Sequence, residues 1–274
     1  MQEESIKGYL PNIDQISTIS ATILLAYTLE RFFSFPNREL STQLPGIYIN
    51  ITLNIQTLVA LLIAGLTASG TNWLLRSHPT NKKKNTVEHW LLPAMTALVI
   101  AIPLFQVPQR LIWWIGFAAG GSLIIFIIIA EYISINPQDQ RFSYAAGAIT
   151  SIAFVLFLIL ATAISYAETR LIWLFPALML SGFLVSLRVF RLRSHDRWLL
   201  SESFIVSLIT AQIAAGLHYL PLSPITFGLT TLAPVYVLTN LFINLKQTEE
   251  SIPVIIVESV VILIIIWLVA FWLR

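Results

Sequence analysis

Residues 252–273 read IPVIIVESVVILIIIWLVAFWL, a run of 22 residues with a single charge, Glu258. The hydrocarbon core of a bilayer is about 30 Å thick, and roughly 20 apolar residues of helix cross it. The segment therefore reads as a transmembrane helix. Working back along the chain, eight more segments share its character, at Ile16–Phe35, Ile51–Leu75, Val87–Val107, Arg110–Ile135, Phe142–Ala167, Arg170–Phe190, Trp198–Leu220 and Ile225–Leu245. The first carries Glu30-Arg31 ahead of its aromatic end; as an interfacial helix it would leave eight spans.

Composition agrees. The 274 residues are 57% hydrophobic and 11% charged, with a mean hydropathy of +0.79, whereas soluble domains carry roughly a quarter charged residues. The expected fold is all-α: a polytopic integral membrane protein of about nine transmembrane helices, organised as one transmembrane domain over residues 1–274. Residues 1–15 form a polar N-terminus and 252–274 the final helix. The connecting loops are short and polar, so function is expected to reside in the helices.

Lys and Arg are concentrated in cytoplasmic loops of membrane proteins. Eleven basic residues fall on one side: Lys7, Arg76, Lys82, Lys83, Lys84, Arg141, Arg188, Arg191, Arg193, Arg197 and Lys246. The other side has five, Arg31, Arg38, Arg110, Arg170 and Arg274. The expected topology is N-terminus cytoplasmic and C-terminus outside, in the plasma membrane of a prokaryote. Glu3, Glu4 and Asp14 against Lys7 do not make the basic head of a signal peptide.

Residues 87–246 suggest three helical hairpins. The second helix of the first opens Arg110-Leu111-Ile112-Trp113, and that of the second opens Arg170-Leu171-Ile172-Trp173; Ile225-Thr226-Phe227 is a degenerate echo in the third. Arg-Ser-His recurs at 76–78 and 193–195. Duplication explains these matches, and so does convergence on interfacial Arg and Trp anchors.

Small residues mark expected packing faces: Gly116 and Gly120 in span four, and Gly65 with Ser69 in span two. Pro93, Pro103, Pro176 and Pro234 fall inside spans, and each frees a carbonyl of the preceding turn.

Ionisable groups at bilayer depth face a cavity or a partner. Glu258 lies six residues into the last span, about 9 Å at ~1.5 Å per residue. With Glu202, Glu131, Arg188 and Asn240 it outlines a cytoplasm-facing polar pocket; a structural reading of Glu258 is a buried carboxyl satisfied by Arg188 or an asparagine. His89, beside Glu88 at the start of span three, reads as a wetted helix start, and His218 as an interfacial residue.

Several chemistries lack their residues. There are no cysteines for disulfides, thiolate metal sites or nucleophiles. Asp14, Asp139 and Asp196 are all in loops, so no intramembrane aspartate pair is available to hold Mg²⁺ on a pyrophosphate. The sequence contains no HExxH zinc motif, phosphate loop or span lysine, and no facing histidines for haem. Thr67-Ala68-Ser69-Gly70 has no histidine in its span to make a nucleophile of Ser69. No catalytic residues, metal or cofactor are expected, and a net charge of +2 offers no nucleic-acid surface. The expected surroundings are the lipid bilayer and a membrane-protein partner or a second copy. The favoured function is a transporter or lipid-handling protein; the alternatives are a structural or assembly subunit and a lipid-modifying enzyme.

Overall fold

The computed structural model describes residues 11–30, 38–44, 47–53, 55–78, 86–108, 110–193, 198–247 and 251–272. Lys7, Arg31, Lys82, Lys83, Lys84, Arg197 and Arg274 of the charge asymmetry, and Ser194-His195 of the second Arg-Ser-His, lie outside them. The chain divides into two units, Met1–Ala145 and Ala146–Arg274.

The first unit contains α1 (Ile13–Glu30), β1 (Arg38–Leu44), β2 (Ile47–Leu53), α2 (Ile55–Arg76), α3 (Val87–Gln106) and α4 (Leu111–Ile133). α2 packs mainly on α3, with α1 against α2 and α4 against α3. Ile19, Ile23 and Tyr27 recur at the spacing of one helix face and are the buried stripe of α1. Tyr27 turns its hydroxyl inward to the carbonyl of Ala97 on α3. On α4, a Cβ at Gly120 would lie 2.6 Å from Ile100 Cγ2, and one at Gly121 would lie 2.8 Å from Leu24 Cδ2. These two glycines let α3 and α1 close on α4 from two sides. Gly116 is in ordinary contact with Leu104 at 3.8 Å. On α2, Gly65 faces open space and Ser69 is exposed; the tight approach lies at Gly70, against Ile19 Cγ2 at 2.9 Å.

The antiparallel pair β1–β2 departs from the sequence reading, which had only loop here and started span two at Ile51. Register pairs Arg38 with Leu53, Leu40 with Ile51 and Leu44 with Ile47, so Ile51–Leu53 closes a strand and α2 begins at Ile55. IYINITL alternates apolar and polar residues with the period of a strand. Its apolar content merges by composition with the helix that follows.

The second unit contains α5 (Phe142–Tyr166) from Ala146 onward, α6 (Leu171–Arg193), α7 (Leu200–Leu217), α8 (Pro224–Gln247) and α9 (Ile252–Trp272). α6 packs on α7, α7 on α8, and α8 on α9. Gly182 of α6 lets Ser207 Cα of α7 come within 3.6 Å of where a Cβ would sit. Gly228 of α8 is closed in by Thr162 and Leu158 of α5. Four buried hydroxyls need no cross-helix partner: Ser203, Thr210, Thr230 and Thr231 donate to carbonyls of their own preceding turn. α5 closes with Glu168 at φ 48° while the Thr169 N–H reaches back to the Ile164 carbonyl, an αL cap. Ser223 accepts from the Thr226 N–H at 3.2 Å and Pro224 follows it, a favourable start for α8.

Pro234 has no N–H to offer the Thr230 carbonyl four residues earlier. Trp267 of α9 supplies the missing donor, its Nε1–H reaching that carbonyl at 3.1 Å. The carbonyl freed by Pro234 in α8 is thus also a docking point for α9.

Among the described residues, α2 through α9 are long and apolar enough to cross a membrane. α1 is not one of these eight, because Asp14, Gln15, a Ser/Thr-rich middle and Glu30 dilute its apolar residues. The helix starts at Arg110 and Arg170 are alike: the N–H of Trp113 and of Trp173 each return to the arginine carbonyl at 2.9 Å. The packing differs, since Trp113 is 1% exposed and Trp173 45%. The four-residue identity therefore specifies a helix start and leaves the environment to the neighbours.

Candidate functional site

α3 and α4 run antiparallel, which brings the first turn of α3 beside the last turn of α4. Glu88 and His89 belong to the former, Glu131 and Tyr132 to the latter, and Ser134 caps α4. Glu131 is 0% exposed, and its Oε2 lies 3.0 Å from His89 Nδ1. Ser134 Oγ is 3.3 Å from the same carboxylate oxygen and 3.3 Å from the same ring nitrogen, and donates to the Glu131 carbonyl at 2.9 Å. Glu88 Oε1 sits 3.3 Å from the opposite ring nitrogen, Nε2. One imidazole is therefore held between two carboxylates. Thr86, before α3, donates its hydroxyl to Asn72 of α2 at 2.6 Å and ties the start of α3 to that helix.

The wetted-helix-start reading of His89 is thus corrected: its side chain is 11% exposed, and its principal partner is a carboxyl 42 residues away. Toward the loops lie His78, buried and edge-on to Tyr132 at 4.5 Å between ring centroids, and Asp139. Arg141 grips Asp139 through Nε at 3.2 Å and Nη2 at 3.1 Å. That grip holds the Asp139 carboxyl below the usual carboxylate range. Burial pushes the His78 imidazole below its ordinary value of 6.5, with Asp139 opposing and His89 adding to the lowering.

The shift at His78 has a consequence for stability. The unfolded chain takes up a proton near pH 6.5 that the folded chain resists, so the folded state has its full advantage above that value and loses it as pH falls through the lower, folded value. Thermal midpoints recorded from about pH 7 to pH 5 are expected to fall less steeply for His78→Gln than for the parent. The stabilisation from Asp139 is present above its ordinary 3.8 and is lost only below it, outside that window.

Chemically, the cluster is a set of acid–base groups without the geometry of a nucleophilic triad. In a serine triad the hydroxyl and the carboxylate occupy opposite nitrogens of the histidine. Here Ser134 and Glu131 share Nδ1, and Nε2 is taken by Glu88. Among the described residues no group of three or more His, Asp or Glu side chains is arranged to hold a metal ion.

The other residues of the expected pocket belong to the second unit. Glu202 accepts from Lys246 of α8 and from Ser201 Oγ, the latter at 2.7 Å. Arg188 is buried near the end of α6, and the guanidinium of Arg191 lies 5.5 Å from the ring centre of Trp198. Asn240 donates to the Tyr236 carbonyl of its own helix at 2.9 Å. Glu258 is exposed on α9. Of the expected set, Glu131 stands in a buried cluster with His89, Glu88 and Ser134.

The eight apolar helices of spanning length among the described residues define an integral polytopic helical membrane protein. The chain belongs to the family described as "Protein of unknown function (DUF5656)", which matches residues 35–273. That match takes in β1, β2 and all eight spans and leaves α1 outside. No curated protein and no solved structure matches the chain.

Proposed function

We propose that the protein is a membrane transporter for a small solute or lipid, gated by protonation of the Glu131–His89 pair. The observation that carries this reading is Glu131: a carboxyl without exposure, inside a span, bonded to an imidazole at 3.0 Å. Ionisable residues kept at such cost inside a bundle mark proton and substrate pathways. Histidine is the side chain that changes charge near neutral pH. His78 and Asp139 extend the acid–base groups toward the loops, and in the orientation we propose from the basic residues following α2 this end faces the cytoplasm.

The test uses proteoliposomes holding a trapped pH dye, presented with a panel of amino acids, sugars, nucleosides and organic anions. Parallel vesicles contain a fluorescent headgroup-labelled phospholipid. The expected result is proton uptake that begins on adding one solute class, or labelled-lipid translocation that depends on pH, with either lost in Glu131→Gln protein that still folds and melts cooperatively. Parent vesicles inert to the whole panel and to the lipid would refute the proposal, as would full activity in Glu131→Gln.

A further inference from the structure

α9 is docked along one side only. Ile255, Ser259 and Ala270 are its buried residues, and 17% of its apolar window is buried. The opposite side carries Val254, Glu258, Val261, Ile265, Leu268 and Trp272, all exposed. Their spacing alternates four and three residues, the seam of a left-handed helix pair, in which residues of one helix insert between four of the next. Apolar residues on this side need no explanation in lipid. A carboxyl does, because α9 at 21 residues is about as long as the hydrocarbon core is thick, and Glu258 lies about 9 Å in from Ile252.

We infer that α9 is a self-association helix: two copies of the chain pair along this seam, with Glu258 facing Glu258. Two features of the molecule favour a second copy over a different partner. Copies inserted in the same orientation bring Glu258 to the same depth without any adjustment of register. A pair of carboxyls sharing a proton is also self-complementary, one donating and the other accepting, so no cation from elsewhere is needed. The spacing puts Ile265 at an a position and Leu268 at a d position, the pattern of two-stranded pairs. The Trp267 bond to Thr230 fixes the rotation of α9 on α8, which keeps the Glu258 side turned outward. Polar groups across such helix pairs in membranes contribute modestly but set the register. The pairing is independent of the transport reading.

The chain has no cysteine, so single replacements report α9 alone. Val254→Cys, Val261→Cys and Ile265→Cys protein in lipid vesicles is expected to form disulfide-linked dimers on mild oxidation. Ile256→Cys and Val260→Cys, which are exposed off the seam, are expected to link severalfold less. Adding Glu258→Leu to Val261→Cys should cut the linked fraction severalfold, while Glu258→Gln, which still donates and accepts, retains it. Glu258→Leu is the more apolar variant and is expected to insert and fold; tryptophan fluorescence melting checks this. Equal linking at all five positions, monomers throughout, no response to Glu258→Leu, or linkage to a different protein in native membranes would each overturn the inference.

Discussion

His89→Ala is expected to lower stability by ~3–5 kcal/mol, the scale seen when one member of a buried ionic pair is removed and the other is left behind. Glu131 has no exposure through which water could replace the lost imidazole, and Ser134, already donating to the Glu131 backbone carbonyl, is a poor substitute. Glu131→Gln, whose amide still bonds to the ring, should cost nearer ~1 kcal/mol. The double variant His89→Phe with Glu131→Leu should recover most of the alanine loss, because apolar pairs of similar volume often replace buried ion pairs at little cost. Thermal melting of the four proteins in one detergent at neutral pH decides the order. If the double variant is as unstable as His89→Ala, packing and not charge pairing dominates the site. The comparison also separates stability from transport, since the double variant is expected to melt normally and move nothing.

Trp267→Phe is expected to cost ~1–3 kcal/mol although it keeps an aromatic ring in place, because the Thr230 carbonyl loses its donor in apolar surroundings. Restoring a helix N–H with Pro234→Ala should remove most of that penalty. In the Pro234→Ala background, Trp267→Phe should then be close to neutral. This double-mutant cycle isolates the bond between indole and carbonyl from the packing of the ring. Additive effects would show that Trp267 acts only by filling space.

The spans were legible from the run of residues alone. α3 to α9 begin and end within three residues of the sequence expectation, because lipid permits few alternatives to an apolar helix. β1 and β2 were not legible: RELSTQL is too polar to signal a strand, and IYINITL abuts the apolar start of α2. The Glu131–His89 pair was half legible. Its place inside a span marks Glu131, whereas His89, at the end of one, carries no such mark. A depth count would have joined them, since His89 is two residues inside the start of α3 and Glu131 two residues inside the end of α4, ends that an antiparallel hairpin places side by side. Residue type and expected sidedness group Glu131 with Glu202 and Glu258, but neither encodes which helices adjoin. The Trp267 bond was also within reach: Pro234 advertises an unserved carbonyl, but which neighbour serves it depends on packing that no local pattern encodes.

Pro93 stands four residues after His89, so the backbone rung that would join the His89 carbonyl to residue 93 does not exist. The turn carrying the imidazole is joined to the rest of α3 by one strut fewer than an ordinary helix turn. A displacement of the ring can therefore tilt that turn without breaking a backbone bond at this point, a freedom that Pro103 repeats at the Val99 carbonyl farther along α3.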